Sequence, residues 1–302
     1  MNEANVNSGK RVKGFIYISI VYIIALFISL IVGILLNSLH PILIILLADI
    51  SATLFIFAIG NIFKNASFYD PYWSVAPAVI AIYLLFNSLS KNIYFLHQII
   101  PLLLVLIWSI RLTYNWARLW QGLNHEDWRY ANLRVEKGKS FWLVNLIGIH
   151  LMPTILVFLG CLSLYPVFTI RRSSFSYLDI IALSTTLFAI IIETVSDQQL
   201  YHFIKNREGS TEIIKKGLWK YSRHPNYFGE ILFWWGLYLF ALATELFFWW
   251  VIIGPLFITI LFYVLSIPMM EERNLSRKPN YSEYKERVSK LIPWFPKKKV
   301  NN

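Results

Sequence analysis

Long apolar runs separated by short polar stretches dominate this chain of 302 residues. Asp, Glu, Lys and Arg are all absent from residues 14–48, 71–90, 92–110, 140–170 and 231–244. A transmembrane helix needs about 20 consecutive apolar residues. The pattern predicts eight such segments, at about 15–36, 41–63, 73–89, 92–110, 141–169, 178–200, 227–245 and 247–270. We therefore predict an all-α polytopic membrane bundle with about 7–8 transmembrane helices.

The first apolar segment is expected to be a transmembrane helix and not a cleaved signal peptide. Phe15–Leu36 spans 22 residues, which is longer than the roughly 7–15 residues of a signal-peptide core. The stretch Asn37–Pro41 combines turn-forming residues with a proline, so we expect the first helix to end there.

Composition agrees with a membrane protein and excludes several other classes. Hydrophobic residues make up 57% of the chain and charged residues 15%, against about 25% charged residues in typical soluble domains. The single cysteine, Cys161, permits neither an intramolecular disulfide nor a cysteine-based zinc site. Disordered, collagen-like and disulfide-rich secreted proteins are therefore excluded.

The distribution of positive charge predicts an orientation. If the N-terminus is cytoplasmic, 25 of the 28 Lys and Arg residues fall on the cytoplasmic side, and only Lys91, Arg171 and Arg172 fall outside. The positive-inside rule then places both termini in the cytoplasm. Because no soluble basic domain carries the net charge of +11, we expect contact with membrane lipid and not with nucleic acid. Nothing in the sequence points to a protein partner.

Ionisable residues that border apolar segments are candidates for function, because such groups are costly in a membrane. Asp70 and Tyr72 lie where the third segment begins, and either side chain can supply a proton to a substrate. The alternative is a capped helix with an aromatic interfacial belt. Tyr130 closes the loop 111–130, whose mixed charges fit a phosphate-bearing cofactor or a solvated loop of paired charges.

A second group of polar residues lies at the end of the sixth segment. Glu193, Asp197, Tyr201 and Lys205 repeat every four residues and therefore share one helix face. An ion ladder explains Tyr201 and Lys205 well, but it explains two carboxylates at the end of a membrane helix less well. A smaller charged group, 271–288, follows the last segment, and an amphipathic surface tail is the plain interpretation of it.

The most informative motif is Gly217–Glu230, GLWKYSRHPNYFGE. Pro225 suits the first turn of a helix, and either Ser222 or His224 can cap it. A helix start beside Arg223 favours an anion, through free backbone N–H groups and the helix dipole. Asn226, Glu230 and Trp234 then fall on one face of the helix. The alternative is a capped helix with a snorkelling arginine.

Several motifs are absent from the sequence, including the dinucleotide-binding G-x-G-x-x-G, the Walker loop, H-E-x-x-H and the G-x-S-x-G elbow. Histidines at 40, 97, 150 and 202 are scattered singly, so we predict no metal site.

The motif at 217–230 resembles the signature of the membrane steroid 5-alpha-reductase-like proteins, in particular the branch with a DUF1295 domain. The resemblance covers roughly residues 65–295 and includes Ser196-Asp197, Glu271-Glu272, Asp70–Trp73 and Arg118–Tyr130. It divides the chain into an N-terminal transmembrane hairpin (1–64), a steroid 5-alpha-reductase-like membrane domain (65–295) and a basic tail (296–302).

The resemblance implies a chamber that opens to the cytoplasm and holds NADPH without a Rossmann domain. The residues that match the family pattern at the cofactor are Asp197, Lys205, Arg207, Arg223, His224, Asn226, Tyr227, Glu230 and Glu272. One departure concerns the substrate. The steroid enzymes carry a Gln-Glu pair in an early helix, and this chain has Tyr69–Trp73 instead, so the resemblance extends to the cofactor half more closely than to steroid specificity.

We therefore expect an oxidoreductase acting on CH-CH groups, which reduces a C=C bond in a steroid-, isoprenoid- or other lipid-like substrate. Asp70, Tyr72 or Tyr130 would supply the proton or polarise a carbonyl group. Two alternatives remain open at this point. One is a methyltransferase that uses S-adenosylmethionine, because isoprenylcysteine carboxyl methyltransferases share the R-H-P and E-E features. The other is a non-enzymatic lipid-binding membrane protein.

Overall fold

Helices follow the apolar segments of the sequence closely. The computed structural model describes residues 3–87, 95–171 and 174–298. Its α-helices are α1 Glu3–Leu35, α2 Pro41–Ile62, α3 Tyr72–Phe86, α4 Phe95–Leu119, α5 Trp128–Lys137, α6 Phe141–Val144, α7 Met152–Cys161, α8 Leu164–Thr169, α9 Tyr177–Asn206, α10 Pro225–Thr244, α11 Ile253–Ile260, α12 Ile267–Arg277 and α13 Tyr281–Arg287. Shorter turns of other helix types are the 3-10 helices Ala66–Tyr69, Gly138–Ser140, Gly217–Lys220 and Leu246–Ile252, and the π-helices Asn145–Leu151 and Leu261–Ser266.

The all-α membrane architecture is confirmed. Within the described ranges no β-strand occurs, and 7 helical stretches are long and apolar enough to cross a membrane. The third predicted segment, about 73–89, is not among these seven, because it corresponds to α3, which has 15 residues and a length of only about 22 Å at 1.5 Å per residue. The predicted break between the third and fourth segments, at 88–94, lies outside the described residues. Seven crossings would place the two termini on opposite sides of a membrane, and an eighth crossing by α3 would place them on the same side. The cytoplasmic placement of both termini therefore stays a prediction that depends on α3.

The chain divides into two compact units. The first comprises Met1–Phe86 and Val105–Tyr165, and the second comprises Asn87–Leu104 and Pro166–Asn302. This division differs in kind from the predicted boundaries after residues 64 and 295, because each unit is built from two separate stretches of the chain.

In the first unit, α1 packs along α2, and the turn between them is the predicted one. His40 is the N-cap of α2 and accepts a hydrogen bond from the Ile42 N–H (3.3 Å), and Pro41 follows at the first helical position. The Arg11 guanidinium donates to the carbonyl oxygens of Ala117 (2.8 Å) and Arg118 (3.2 Å), which fastens the start of α1 to the end of α4.

In the second unit, α9 and α10 approach closely and run antiparallel, because two glycines of α10 lie against the backbone of α9. A Cβ atom on Gly229 would lie 2.7 Å from Glu193 Cβ and 2.9 Å from the Ala189 carbonyl oxygen. A Cβ atom on Gly236 would lie 3.0 Å from Thr186 Cα. Small residues at such crossings let helix backbones pack closely within a membrane.

Replacing Gly236 with alanine is expected to destabilise the protein by about 1–3 kcal/mol, because overpacking outweighs the better helix propensity of alanine. Unfolding of the purified protein in mixed detergent micelles measures this. Gly33→Ala in α1 is the matched control, because its added Cβ would meet nothing closer than 3.7 Å. Equal stability of the Gly236→Ala and Gly33→Ala variants would show that the crossing is not tight.

Candidate functional site

The predicted helix start at the GLWKYSRHPNYFGE motif is present. Gly217–Lys220 forms a 3-10 turn, and α10 begins at Pro225 with His224 as its N-cap residue. The Ser222 hydroxyl oxygen accepts from the His224 N–H (3.1 Å) and donates to the Leu291 carbonyl (2.6 Å). Gly217 has a φ of 59°, and a Cβ there would collide with the Gln199 side chain, so glycine is required at this turn.

Arg223 is buried and binds other parts of the protein. Its Nε donates to Glu271 Oε1 at 2.7 Å, and its Nη1 donates to the Lys285 carbonyl at 2.6 Å and to the Val288 carbonyl. The side chains of both ion-pair partners are less than a tenth exposed (7% and 6%). Arg223 therefore ties α12 and α13 to the start of α10.

Besides Arg223, Glu271 contacts two further basic groups. Its Oε2 lies 3.2 Å from Lys285 Nζ, and its Oε1 lies 3.4 Å from His224 Nε2. Burial lowers the pKa of His224, although Glu271 opposes this shift. The neighbouring Glu272, the residue predicted from the family pattern, is exposed.

A cavity of about 480 Å³ opens beside this ion pair, between α9, α10, α12 and α13. Five cationic residues line it, and they are Arg207, Arg223, Arg273, Arg277 and Lys278. Within the described part of the chain, no carboxylate joins them in the lining. The rest of the wall is largely apolar and aromatic, with Phe203, Ile214, Trp219, Tyr227 and Tyr281 among its residues. A volume of this size lies within the usual range of ligand pockets, about 300–1,000 Å³.

The cations of this cavity lie close enough to repel one another. Burial lowers the pKa of Lys278, and the neighbouring Arg207 and Arg273 guanidinium groups lower it further. Like charges raise each other's energy when they converge in a partly buried site, and a bound anion relieves this cost. The arrangement therefore favours a ligand with negative charge, such as a phosphate ester.

The wall of the cavity also offers flat rings and an amide group. The rings of His224 and Tyr227 stack at 5.4 Å with an interplanar angle of 9°. The Asn226 Nδ2 donates to Asp197 Oδ1 at 3.3 Å, so Asp197 orients the amide without lining the cavity itself. A stacked pair of rings and an oriented amide are suited to a heteroaromatic ring that carries polar substituents.

The nine residues predicted at the cofactor divide into two groups. Those that line the cavity are Arg207, Arg223, His224, Asn226 and Tyr227, and those that do not are Asp197, Lys205, Glu230 and Glu272. Glu230 is buried one helical turn from Asn226 and accepts from Trp234 Nε1 at 2.9 Å, so its shared face with Trp234 is as predicted. Lys205 is exposed.

Three cationic residues of the cavity were not predicted from the sequence, namely Arg273, Arg277 and Lys278. They lie in the region that we interpreted as an amphipathic tail. The signal was present, because Arg273 and Arg277 are four residues apart on α12 and Lys278 follows immediately.

The three candidate proton donors belong to the first unit. Tyr130 donates its hydroxyl proton to Asp70 Oδ1 at 2.9 Å. Burial raises the pKa of Asp70 to about 7, although the Arg129 guanidinium opposes this shift. Tyr72 donates to Asp49 Oδ1 at 2.5 Å, and both residues are buried. Asp49 is a further residue that the sequence analysis missed.

Other charges near Tyr130 are paired within the protein, as expected if the loop 111–130 is a solvated loop of paired charges. Glu126 Oε1 accepts from the Ala66 N–H (2.8 Å) and from Arg134 Nη2 (2.6 Å). Arg129 Nε donates to Asp127 Oδ1 at 2.8 Å. These contacts hold Ala66–Tyr69 against α5 and support Asp70.

The seven apolar helices and the cavity beside α10 define a multi-pass helical membrane protein with a cationic cavity. The chain belongs to the family described as protein of unknown function (DUF1295), whose model matches residues 56–288. The chain is 28% identical over 267 residues to the uncharacterized protein C594.04c of Schizosaccharomyces pombe, and the match covers 78% of this chain and 77% of the yeast protein. No solved structure matches the chain.

Proposed function

We propose that the protein is an NADPH-dependent reductase of a C=C bond in a lipid-like substrate. The observation that carries this proposal is the cavity beside α10, where five cations face an apolar and aromatic wall. NADPH matches both features in one molecule, since it carries a pyrophosphate, a third phosphate, an adenine ring and a flat dihydronicotinamide ring.

The cavity residues fit this cofactor by chemical type. Arg207, Arg273 and Lys278 would hold phosphate groups through charge-assisted hydrogen bonds. Tyr227, stacked on His224, offers a ring face, and Asn226, oriented by Asp197, offers an amide to the carboxamide group. When bound, NADPH supplies a hydride. The apolar wall excludes water from it.

We propose Asp70, Tyr72 or Tyr130 as the proton donor. A carboxyl group with a pKa near the working pH is an efficient general acid, and burial gives Asp70 a pKa of about 7. Tyr130 holds the Asp70 carboxyl group in place through its hydroxyl, and Asp49 holds the Tyr72 hydroxyl.

If Asp70 is the general acid, reduction is expected to slow above about pH 7, since the protonated carboxyl group is the active form. Asp70→Asn should lower the rate by roughly 10²–10⁴-fold and abolish this pH dependence. Tyr130→Phe should move the apparent pKa upward, because the lost hydrogen bond favours the ionised carboxylate. Initial rates of the wild type, Asp70→Asn and Tyr130→Phe from pH 5 to 9 measure these three effects. An Asp70→Asn profile with the wild-type midpoint would remove Asp70 from this role.

Deuteride transfer tests the reaction itself. The purified protein is incubated with NADPH deuterated at C4 of the nicotinamide and with three α,β-unsaturated lipids: an enone steroid, geranylgeranial and trans-2-hexadecenal. Mass spectrometry should find one deuterium on a saturated product from at least one lipid class, and Asn226→Ala should reduce that yield. A parallel incubation replaces NADPH with S-adenosylmethionine. If a lipid is methylated there and no deuterium is transferred from NADPH, the protein is a methyltransferase and the proposal fails.

A further inference from the structure

The first unit contains a buried histidine on an unusual helical turn. His150 belongs to the π-helix Asn145–Leu151, and its side chain is fully buried. A π-helix is rare, and within longer helices it occurs frequently at functional sites. His150 was set aside in the sequence analysis as one of several isolated histidines, and the reductase mechanism does not use it.

The hydrogen bonds around His150 fix which of its nitrogens carries the proton. Its Nδ1 lies 3.0 Å from the carbonyl oxygen of Asn145, which can only accept a hydrogen bond. Nδ1 therefore carries the proton. Because a charged imidazolium is costly in a buried position, the ring is neutral and Nε2 presents a lone pair. Among the described residues, Nε2 has no hydrogen-bond partner although it is buried.

The hydroxyl groups near His150 are committed to other acceptors. Thr154 donates its single hydroxyl proton to the His150 carbonyl at 2.9 Å. The Thr154 oxygen must then accept from Tyr69 at 2.7 Å and from Thr53 at 2.8 Å, which uses the protons of both hydroxyls. None of these three donors is left to satisfy Nε2.

Aromatic rings cover His150 on two sides. The Tyr69 ring lies 4.8 Å from the imidazole ring, and the Phe57 ring meets it edge to face at 5.3 Å. Asn145 Oδ1, on the same π-helix, is likewise a buried oxygen without a hydrogen-bond partner in the described structure. Buried acceptors without donors are costly, above all in a membrane protein, and an O–H donor from a ligand removes that cost.

We infer that His150 Nε2 accepts a hydrogen bond from the hydroxyl group of a lipid-like ligand whose apolar body packs on Tyr69 and Phe57. The inference rests on the proposed function, in that this ligand is the substrate. It narrows the substrate class to α,β-unsaturated lipids with a free hydroxyl, so that a hydroxylated enone steroid fits and the two aldehydes named above do not. The site differs from the candidate proton donors, because it binds the substrate through an acceptor.

Photolabelling with two matched probes tests the inference without NADPH. The probes are a diazirine-bearing hexadecanol and its methyl ether, in which a methyl group replaces the hydroxyl proton. The full chain is labelled in phosphatidylcholine nanodiscs, and labelling of the peptides that contain Phe57 and residues 145–154 is quantified. We expect the alcohol to label these peptides at least fivefold more than the ether, because the ether cannot donate to Nε2.

Variants connect this preference to the imidazole. His150→Phe should abolish the preference, and His150→Gln should retain part of it, because the glutamine amide still offers an acceptor. His125→Phe is the matched control, an exposed histidine of the same unit, and it should keep the full preference. Thermal unfolding identifies a variant that fails to fold. If His150→Phe is such a variant, His150→Gln decides, and a folded His150→Gln variant that keeps the full wild-type preference contradicts the inference.

The outcomes separate this inference from the reductase proposal. A wild-type protein that labels equally with both probes, or a folded His150→Phe variant that keeps the preference, overturns the His150 site. If the preference holds and depends on His150, the site stands. NADPH binding, measured separately on the wild-type chain, then decides the reductase proposal independently.

Discussion

Replacing Arg223 with methionine is expected to lower the free energy of unfolding by about 3–5 kcal/mol, the usual cost of breaking a buried ion pair on one side. Arg223 holds Glu271, the Lys285 carbonyl and the Val288 carbonyl around one guanidinium group. Without it, Glu271 remains as a buried carboxylate, and α12 and α13 lose one of their attachments to the start of α10. Unfolding in mixed detergent micelles, followed by tryptophan fluorescence, measures the loss.

Two further variants show whether the ion pair causes this effect. Glu271→Met should be similarly destabilising, and the double variant Arg223→Met/Glu271→Met should recover part of the stability, since no buried charge is left alone. Arg207→Met, which removes another cation of the same cavity, should change stability far less. Equal stability of Arg223→Met and Arg207→Met would mean that Arg223 does not hold the fold together.

Removing the converging cations is expected to give the largest loss of ligand affinity. A hydrogen bond to a charged group contributes about 1.5–3 kcal/mol, or roughly 10- to 150-fold in affinity. Arg207→Met and Lys278→Met should each weaken NADPH binding by that factor, and the double variant should lose most of its affinity for NADPH. The dependence of the dissociation constant on salt should also become shallower, because fewer charges meet the phosphates.

The stability of these variants is expected to move in the opposite direction from their affinity. Lys278 lies near Arg207 and Arg273. Burial lowers the pKa of Lys278 most, and repulsion from these two guanidinium groups lowers it further. Removing Lys278 therefore relieves repulsion in the ligand-free protein. Lys216→Met is the matched control, because Lys216 is exposed and does not line this cavity. A control that weakened NADPH binding as much would indicate a general effect of net charge.

The sequence predicted the membrane helices well because their signal is local. An apolar run of the right length determines a transmembrane helix whatever its neighbours are. The start of α10 was equally predictable, since Pro225 and the preceding turn carry the signal within a few residues. The two π-helices were not predicted, because a π-helix and an α-helix share almost the same pattern of apolar residues.

The partners of charged residues were much harder to predict, because they lie far apart in the chain. Arg223 and Glu271 are 48 residues apart, and no local pattern links them. Glu271 and Glu272 are adjacent, yet one is buried and the other exposed, because successive residues of a helix point about 100° apart. Asp49 carried a usable signal, as the one acidic residue within the predicted segment 41–63.

Equilibrium binding to the detergent-solubilised wild-type protein tests the central claim most directly. NADPH and S-adenosylmethionine are titrated separately into wild type, Arg207→Met/Lys278→Met and Lys216→Met. The cavity beside α10 predicts saturable NADPH binding that the double variant loses and Lys216→Met keeps. Saturable binding of S-adenosylmethionine alone, or NADPH binding that survives in the double variant, would contradict the account.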